Sequence, residues 1–453
     1  MSNDRLRIIK ACTYDCHGGA ARDCWQLFSG YRERGHDAYI AAGRKLSYDP
    51  HVFQLHPDGP AIETPFAQDD LCTEEERAAR RRDVADGLED FCFPASRRML
   101  DLLPGPADVA HFHNLHGGYF DLAWLPGLSA RMPVVLTLHD AWLLAGNCAH
   151  SFACERWLTG CGQCPNIHIY PGLKADGTAA NLARKRDIYR KSRLRIATPC
   201  RWLMDKVERS ALAEGMVEGR VIPYGLNQPL FRPRDRREAR RLLGLPEDGL
   251  IFLFSADNIR NNLWKDFKTL REAVGQFATQ GREVLFVALG ETAPEERMER
   301  VVVRFVPFER DTARVAAFFQ AADIYLHAAK ADTFPQVVLE ALACGTPVVG
   351  TAVGGIPEQV KGLAGLPGAD PKATWGRSEA TGALTPGGDA AAMARTLSAL
   401  AGDPQLLAQL SGNAASDAAQ RFDIGREVGD YLAWFAEMRE QDRQPSNRGR
   451  RTP

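Results

Sequence analysis

Two carboxylates and two cations stand out in the second half of the chain. Asp332 and Glu340 flank a proline-started helical turn in the run ADTFPQVVLEALACGTPVV. Glu340 follows Val337, Val338 and Leu339 and precedes Ala341, Leu342 and Ala343; Gln336 is the one polar neighbour on its helical face. A carboxylate buried there costs several kcal/mol unless paired or hydrogen-bonded. An acid kept in such a place points to a ligand with donor hydroxyls; the plainer reading is an internal Lys or Arg partner. Pro335 suits a first helical turn. The free amides and dipole at that helix start make an anion site. Asp332, ahead of the helix, can hold hydroxyls or simply cap it. Arg260 and Lys265 share one loop in FSADNIRNNLWKDF. Two such cations can grip a diphosphate and stabilise charge on a departing phosphate. Taken alone, they also fit an ordinary polar surface loop.

The first half carries weaker signals. Gly18 and Gly19, in TYDCHGGAARD, allow close backbone approach at a helix start, with Arg22 one turn on. His139 and Asp140 close the strand-like PVVLTLHD. A histidine there can bind a hydroxyl or stabilise charge, and Asp140 can cap the next turn of chain. His111, His113 and His116 lie in HFHNLHGG. With no carboxylate to complete a metal set, His113 and His116 read as lining a binding cleft. Cys148, Cys154, Cys161 and Cys164 fall within seventeen residues and include one C-x-x-C. Structural zinc, disulfides and free thiols all fit that spacing, with zinc first. The basic stretch RKRDIYRKSRLR, 184–195, suits either an anionic lipid surface or an exposed helix face.

These residues need a scaffold. Short apolar runs at 6–11, 38–42, 109–112, 134–138, 194–197 and 221–223 read as strands in the first half. Those at 251–254, 284–289, 301–306, 324–328 and 348–350 read so in the second. Helical patterns lie between them, at 20–34, 201–213, 267–279, 313–322 and 335–344 among others. This alternation predicts parallel sheets covered on both faces, in two doubly wound domains. The proline-interrupted RVIPYGLNQPLFRPR predicts a break between a first domain over 1–220 and a second over 221–420. A charge-dense insertion is expected over 59–95. Tyr431, Trp434 and Phe435 give a closing helix over 421–440 one face to bury. The polar tail 441–453 is expected to be disordered. Ligands are expected in a cleft at the carboxyl ends of the strands.

The chain has 453 residues, 45% of them apolar, with Lys+Arg 56 against Asp+Glu 57. That balance offers no overall attraction to nucleic acid. No apolar run is long enough to span a bilayer, and the start lacks a signal-peptide pattern. The expected location is the cytoplasm.

Together these motifs resemble family 4 of the retaining glycosyltransferases, of the bacterial polysaccharide-assembly type and the GT-B fold. The resemblance rests on the Asp332-to-Glu340 spacing, on CGTPVV and VIPYGLNQPLFRP, and on the Arg260 and Lys265 pair. TLHDAW and RIATPCRWL add to it. Asp332 stands where the family usually has Glu, and Asp266 where Gly usually follows the Lys. The resemblance implies two Rossmann-like domains facing across a cleft, with the last helix crossing back to the first. It implies Arg260 and Lys265 on the donor diphosphate, Glu340 on the ribose and Asp332 on the donor sugar, with Phe334 and Gln336 in the donor-binding set. His139 and the Gly18–Gly19 loop would face the reacting centre, with His113, His116 and Asp140 toward the acceptor. It further implies a nucleoside-diphosphate sugar donor, a glycan or lipid-linked acceptor, retention of configuration, and no catalytic metal. Peripheral contact at the inner face of the membrane would suit such an acceptor. Two alternatives are a nucleotide-sugar 2-epimerase or hydrolase of the same fold, and a two-lobed solute-binding protein without chemistry.

Overall fold

The computed structural model describes residues 5–55, 73–278, 281 and 283–443. The chain divides into two compact units. One comprises Met1–Pro223 with Gly425–Pro453, the other Tyr224–Ile424.

The first unit holds a seven-stranded parallel sheet. Its strands are β1 (Arg7–Tyr14), β2 (Asp37–Arg44), β3 (Val52–Gln54), β4 (Val109–Phe112), β5 (Val134–Thr137), β6 (Leu194–Thr198) and β7 (Met216–Val221). They lie in the order β3-β2-β1-β4-β5-β6-β7. β4 and β5 are buried at every position, as strands covered on both faces must be. Edge strand β7 instead alternates half-buried and exposed. Its Glu218, Gly219 and Arg220 hide it from an apolar-run search, which is why the sequence places the strand downstream at 221–223. β3 is missed for its brevity.

The second unit repeats the plan. Its strands are β8 (Leu250–Ser255), β9 (Val284–Leu289), β10 (Glu296–Met298), β11 (Val301–Val306), β12 (Ile324–His327), β13 (Val348–Thr351) and β14 (Gly382–Thr385). The order is β10-β11-β9-β8-β12-β13-β14. Only β10, charged and at the edge, runs antiparallel to its neighbour. Phe252, Phe254, Phe267, Phe277 and Phe286 lie in its core cluster. β10 and β14 escape the sequence reading: one is charged, the other opens on glycine and closes on threonine.

Among the parallel strands of each sheet the order reverses at one place, between β1 and β4 and between β8 and β12. At such a point the connections leave in opposite directions and open a crevice at the carboxyl ends of the strands.

The closing helix Ile424–Arg443 packs in the first unit. Tyr431, Trp434, Phe435 and Met438 are all buried. The Tyr431 hydroxyl meets Thr137 Oγ1 at 2.8 Å, and the Phe435 ring sits edge-on to Tyr31 at 5.7 Å. Residues 441–443 continue this helix, and the rest of the expected tail lies outside the described residues. So does the 59–72 part of the expected insertion. Its remainder carries the helix Glu74–Ala85, opened by a capping box between Thr73 and Glu76. No helix among the described residues is long and apolar enough to cross a membrane.

Phe435→Ala should cost the first unit about 3–5 kcal/mol. Chemical denaturation followed by fluorescence measures it; a change below about 1 kcal/mol would contradict the packing of this helix.

Candidate active site

In the second unit, three connections leave the carboxyl ends of β8, β12 and β13. The first carries Arg260 and Lys265, and the second Asp332 ahead of the helix Gln336–Ala343. The first two are laced together. Lys265 bridges Ala329, the Asp266 amide donates to the Ala328 carbonyl at 3.0 Å, and the Lys330 amide donates to the Trp264 carbonyl at 2.8 Å. The third closes over Asp332: a Cβ on Gly354, whose φ is +59°, would lie 1.7 Å from the Asp332 carbonyl oxygen. Only glycine fits there. Asp266 accepts from the Thr269 hydroxyl at 2.7 Å at the start of the helix Phe267–Ala278. An aspartate serves there as a helix cap.

This lacing joins Lys265 to Asp332. Its ammonium donates to Asp332 Oδ2, and His327 Nε2 lies 3.1 Å from the same oxygen and 3.4 Å from Lys265 Nζ. Tyr325 in turn holds His327 Nδ1 at 3.3 Å. Burial alone would raise the Asp332 pKa; the Lys265 charge and the His327 contact outweigh it and hold the carboxyl well below its usual range. Burial pushes His327 down to about 4, and the Lys265 charge adds to the effect. At neutral pH Asp332 is therefore a carboxylate and His327 a neutral imidazole. Sequence reasoning missed His327. Its signal was a polar side chain closing the otherwise apolar strand IYLH.

Glu340 is 1% exposed on the Gln336–Ala343 helix, and its charge is felt at Tyr325 and Cys344. Pro335 caps that helix rather than opening it. The Phe334 ring is buried against Tyr224 at 5.6 Å and Phe422 at 6.0 Å, so its backbone is what it can offer a ligand. Gln336 is buried at 8% exposure. Arg260 is half-exposed; its Nε donates to Glu291 Oε1 at 2.5 Å and its amide to Glu291 Oε2 at 2.9 Å. Arg260 and Lys265 line one open cavity of about 470 Å³, together with Lys268, Arg271 and Lys330. Asp266, Glu272 and Glu296 also line it, so cations outnumber acids.

In the first unit, Gly18 caps the helix Gly19–Glu33 at φ 91°, with no acid in its first turn. Nothing lies within 4 Å of a Cβ built on either glycine. Beyond β4, His116 Nε2 contacts Asp140 Oδ2 at 2.8 Å, and Asp140 Oδ1 accepts from the Trp142 amide at 2.9 Å. Burial opposes but does not prevent a lowered Asp140 pKa, because His116 is beside it.

His113 departs from its expected role. It is 1% exposed, with Nδ1 2.8 Å from His139 Nε2 and its ring 4.6 Å from that of His111. It lies inside the unit and supports His139 rather than lining a cleft. Asp23 Oδ2 lies 3.6 Å from His113 and 4.0 Å from His139. Burial raises the Asp23 pKa to about 6, against the nearby Lys10 and Arg426 charges. Burial likewise lowers His139 to about 3. Asp23, His113 and His139 place donor atoms within 4.8 Å of one another. The buried Lys10 ammonium, whose charge reaches all three, opposes a cation there. Asp23 was legible after all: it shares the buried helical stripe of Leu27 and Tyr31.

The basic stretch is mostly ion-paired. Lys185 is buried against Glu89 at 2.9 Å, Arg186 and Arg190 both hold Glu214, and Lys191 pairs with Asp187.

Comparison with known proteins identifies the class. Residues 235–417 match the family model for glycosyl transferases group 1, and residues 18–164 that for the glycosyl transferase 4-like domain. These matches give residues 235–417 a group 1 glycosyltransferase domain and residues 18–164 a glycosyl transferase 4-like domain, on the GT-B fold. WcaC of Escherichia coli K12, a glycosyl transferase named for colanic acid biosynthesis, is 26% identical over 266 residues, 56% of this chain and 62% of the relative. A D-inositol 3-phosphate glycosyltransferase of Actinosynnema mirum is 32% identical over 237 residues, 49% of this chain and 52% of the relative. The matches thus span less than two thirds of either relative. Sucrose-phosphate synthase from Thermosynechococcus elongatus superposes over 96% of this chain and 100% of its own with a TM-score of 0.61 at 19% identity. HepE from Anabaena, in complex with UDP-glucose, does so over 95% of this chain and 100% of its own with a TM-score of 0.60 at 17% identity.

The His327 pKa sets a pH dependence. Its folded value, about 4, lies below the ~6.5 of an unfolded histidine. The unfolded chain therefore takes up this proton first. The stabilisation is full above pH ~6.5 and is lost as pH falls toward 4. By pH 5 the loss should reach ~2 kcal/mol. Thermal unfolding at pH 7.5 and 5 should show a smaller drop for His327→Gln than for the wild type; equal drops would contradict the assignment.

Proposed function

We propose that this protein transfers a sugar from a nucleoside-diphosphate sugar to a hydroxyl of a glycan or lipid-linked acceptor in cell-surface polysaccharide assembly, with retention at the anomeric carbon. One observation carries the reading. Lys265 reaches the part-buried carboxylate of Asp332 while lining the same open, cation-rich cavity as Arg260.

A lysine ammonium has three N–H donors. One is directed to Asp332, which leaves capacity for a phosphate oxygen. Arg260 would exchange Glu291 for the diphosphate, and a planar guanidinium suits two phosphate oxygens at once. The amides opening the Gln336–Ala343 helix add a dipolar contact. Asp332, kept ionised, accepts from hydroxyls of the donor sugar. Glu340, buried on the same helix, accepts from the ribose. The bond from the anomeric carbon to the phosphate oxygen breaks, and one to the acceptor oxygen forms on the same face. The acceptor proton passes to an oxygen of the departing diphosphate. Its negative charge builds up where Arg260 and Lys265 stand, so the role a metal ion often fills falls to fixed cations. No side-chain nucleophile and no catalytic metal enter this scheme.

His139, Asp140, His116 and the Gly18–Gly19 helix start form the acceptor-side set in the first unit. The neutral His139 imidazole can accept from or donate to a sugar hydroxyl, and His113 and Asp23 fix its orientation. Membrane contact through residues 184–195 forms no part of this reading, since most of their charge is met by acids within the unit.

Uridine or guanosine diphosphate should raise the thermal midpoint of the wild type. At a hundredfold excess over Kd the stabilisation is about 2.7 kcal/mol. Glu340→Gln, and the paired change Lys265→Met with Asp332→Asn, should keep the unliganded midpoint within a few degrees. Both should lose nucleotide stabilisation and lower transfer at least about a hundredfold, in line with loss of one preorganised charge contact. Near-normal turnover in either would contradict the site. Donor consumption without any acceptor product would instead favour a hydrolase or epimerase.

A further inference from the structure

The four cysteines of residues 148–164 take no part in the chemistry above, yet the fold gathers them. Cys148, Cys154, Cys161 and Cys164 all line one cavity of about 30 Å³, walled also by Gly146 and Trp157. That is room for one water molecule or one ion. All four are free thiols. We propose that these cysteines together hold a single zinc ion, which fastens the connection between β5 and β6 as a structural site.

The local chain favours this. Between Leu144 and Thr178 the only regular element among the described residues is the single turn Arg156–Leu158. A connection this long, without secondary structure of its own, needs another source of order. Gly160, Cys161, Gly162 and Gln163 have φ of 124°, 58°, 82° and 46°. Left-handed backbone at two non-glycine residues persists only where surroundings enforce it, and here it folds the Cys161–Cys164 turn tightly. The Gly146 amide donates to Cys161 Sγ at 3.4 Å. An amide donor suits a cluster of thiolates, which with zinc keeps a net negative charge.

Zinc–sulfur bonds are about 2.3 Å long and tetrahedral. No three of these sulfurs lie within 4.8 Å of one another, so binding draws the turns inward. The four thiols lose their protons to solvent as the ion binds; nothing is oxidised. Soft thiolate donors and tetrahedral geometry select zinc over magnesium or calcium.

Metal analysis of the full-length protein, purified without added metal and passed over chelating resin, should find about one zinc per chain. Cys161→Ser and Cys148→Ser should each reduce that at least fivefold, while Cys344→Ser, buried elsewhere, should leave it unchanged. Protein refolded with cobalt should show the absorption of a tetrahedral thiolate complex, bleached by zinc. Wild-type protein without metal, with iron in place of zinc, or with these cysteines recovered as disulfides would overturn the proposal. So would zinc that survives both serine substitutions.

Discussion

A charged pair stripped of much of its water holds the second unit's site together. Lys265 and Asp332 are 15% and 17% exposed. Removing one partner of such a pair is far costlier than never having had it, because the remaining charge stays buried. The pair joins two connections that arise on neighbouring strands, and the Trp264, Asp266 and Lys330 backbone bonds lace the same two loops. Gly354 lets the third connection close over Asp332. The site's geometry is therefore set by backbone contacts and one ion pair, with His327 and Tyr325 bracing it from the sheet.

The first unit solves a different problem. It buries Lys10, Asp23, His111, His113 and Glu427 outright. His111 is held by Thr137 at 2.8 Å and by Lys10 and Tyr31 at 3.2 Å each. Tyr431 of the closing helix bonds Thr137 in turn. Polar networks of this kind stabilise only when well satisfied; here the His111–Thr137–Tyr431 bonds specify one docking position for the closing helix. The consequence for chemistry is that the neutral His139 imidazole is braced from within the unit by His113.

The parallel strands were legible because burial on both faces demands apolar runs. Elements that escaped were edges: β7 and β10 carry charges where one side meets water, and β3 is too short to register. Glu340 was legible because an acid amid valines and alanines contradicts its surroundings, and the same test applied to the first helix would have found Asp23. The His113 burial was not readable, since depth at the end of a strand depends on what packs above it. The Arg260–Glu291 and Lys265–Asp332 pairs join residues far apart in sequence, and no local pattern records them. The cysteine spacing suggested zinc, disulfides and thiols alike, and that all four side chains line one cavity was not readable from it.

The central claim is that an activated sugar's diphosphate is held by Arg260, Lys265 and the opening amides of the Gln336–Ala343 helix. A crystal structure with a bound nucleoside-diphosphate sugar tests it directly. The account predicts phosphate oxygens within hydrogen-bond distance of both side chains, with the ribose against Glu340. Density for the diphosphate away from these groups would contradict it.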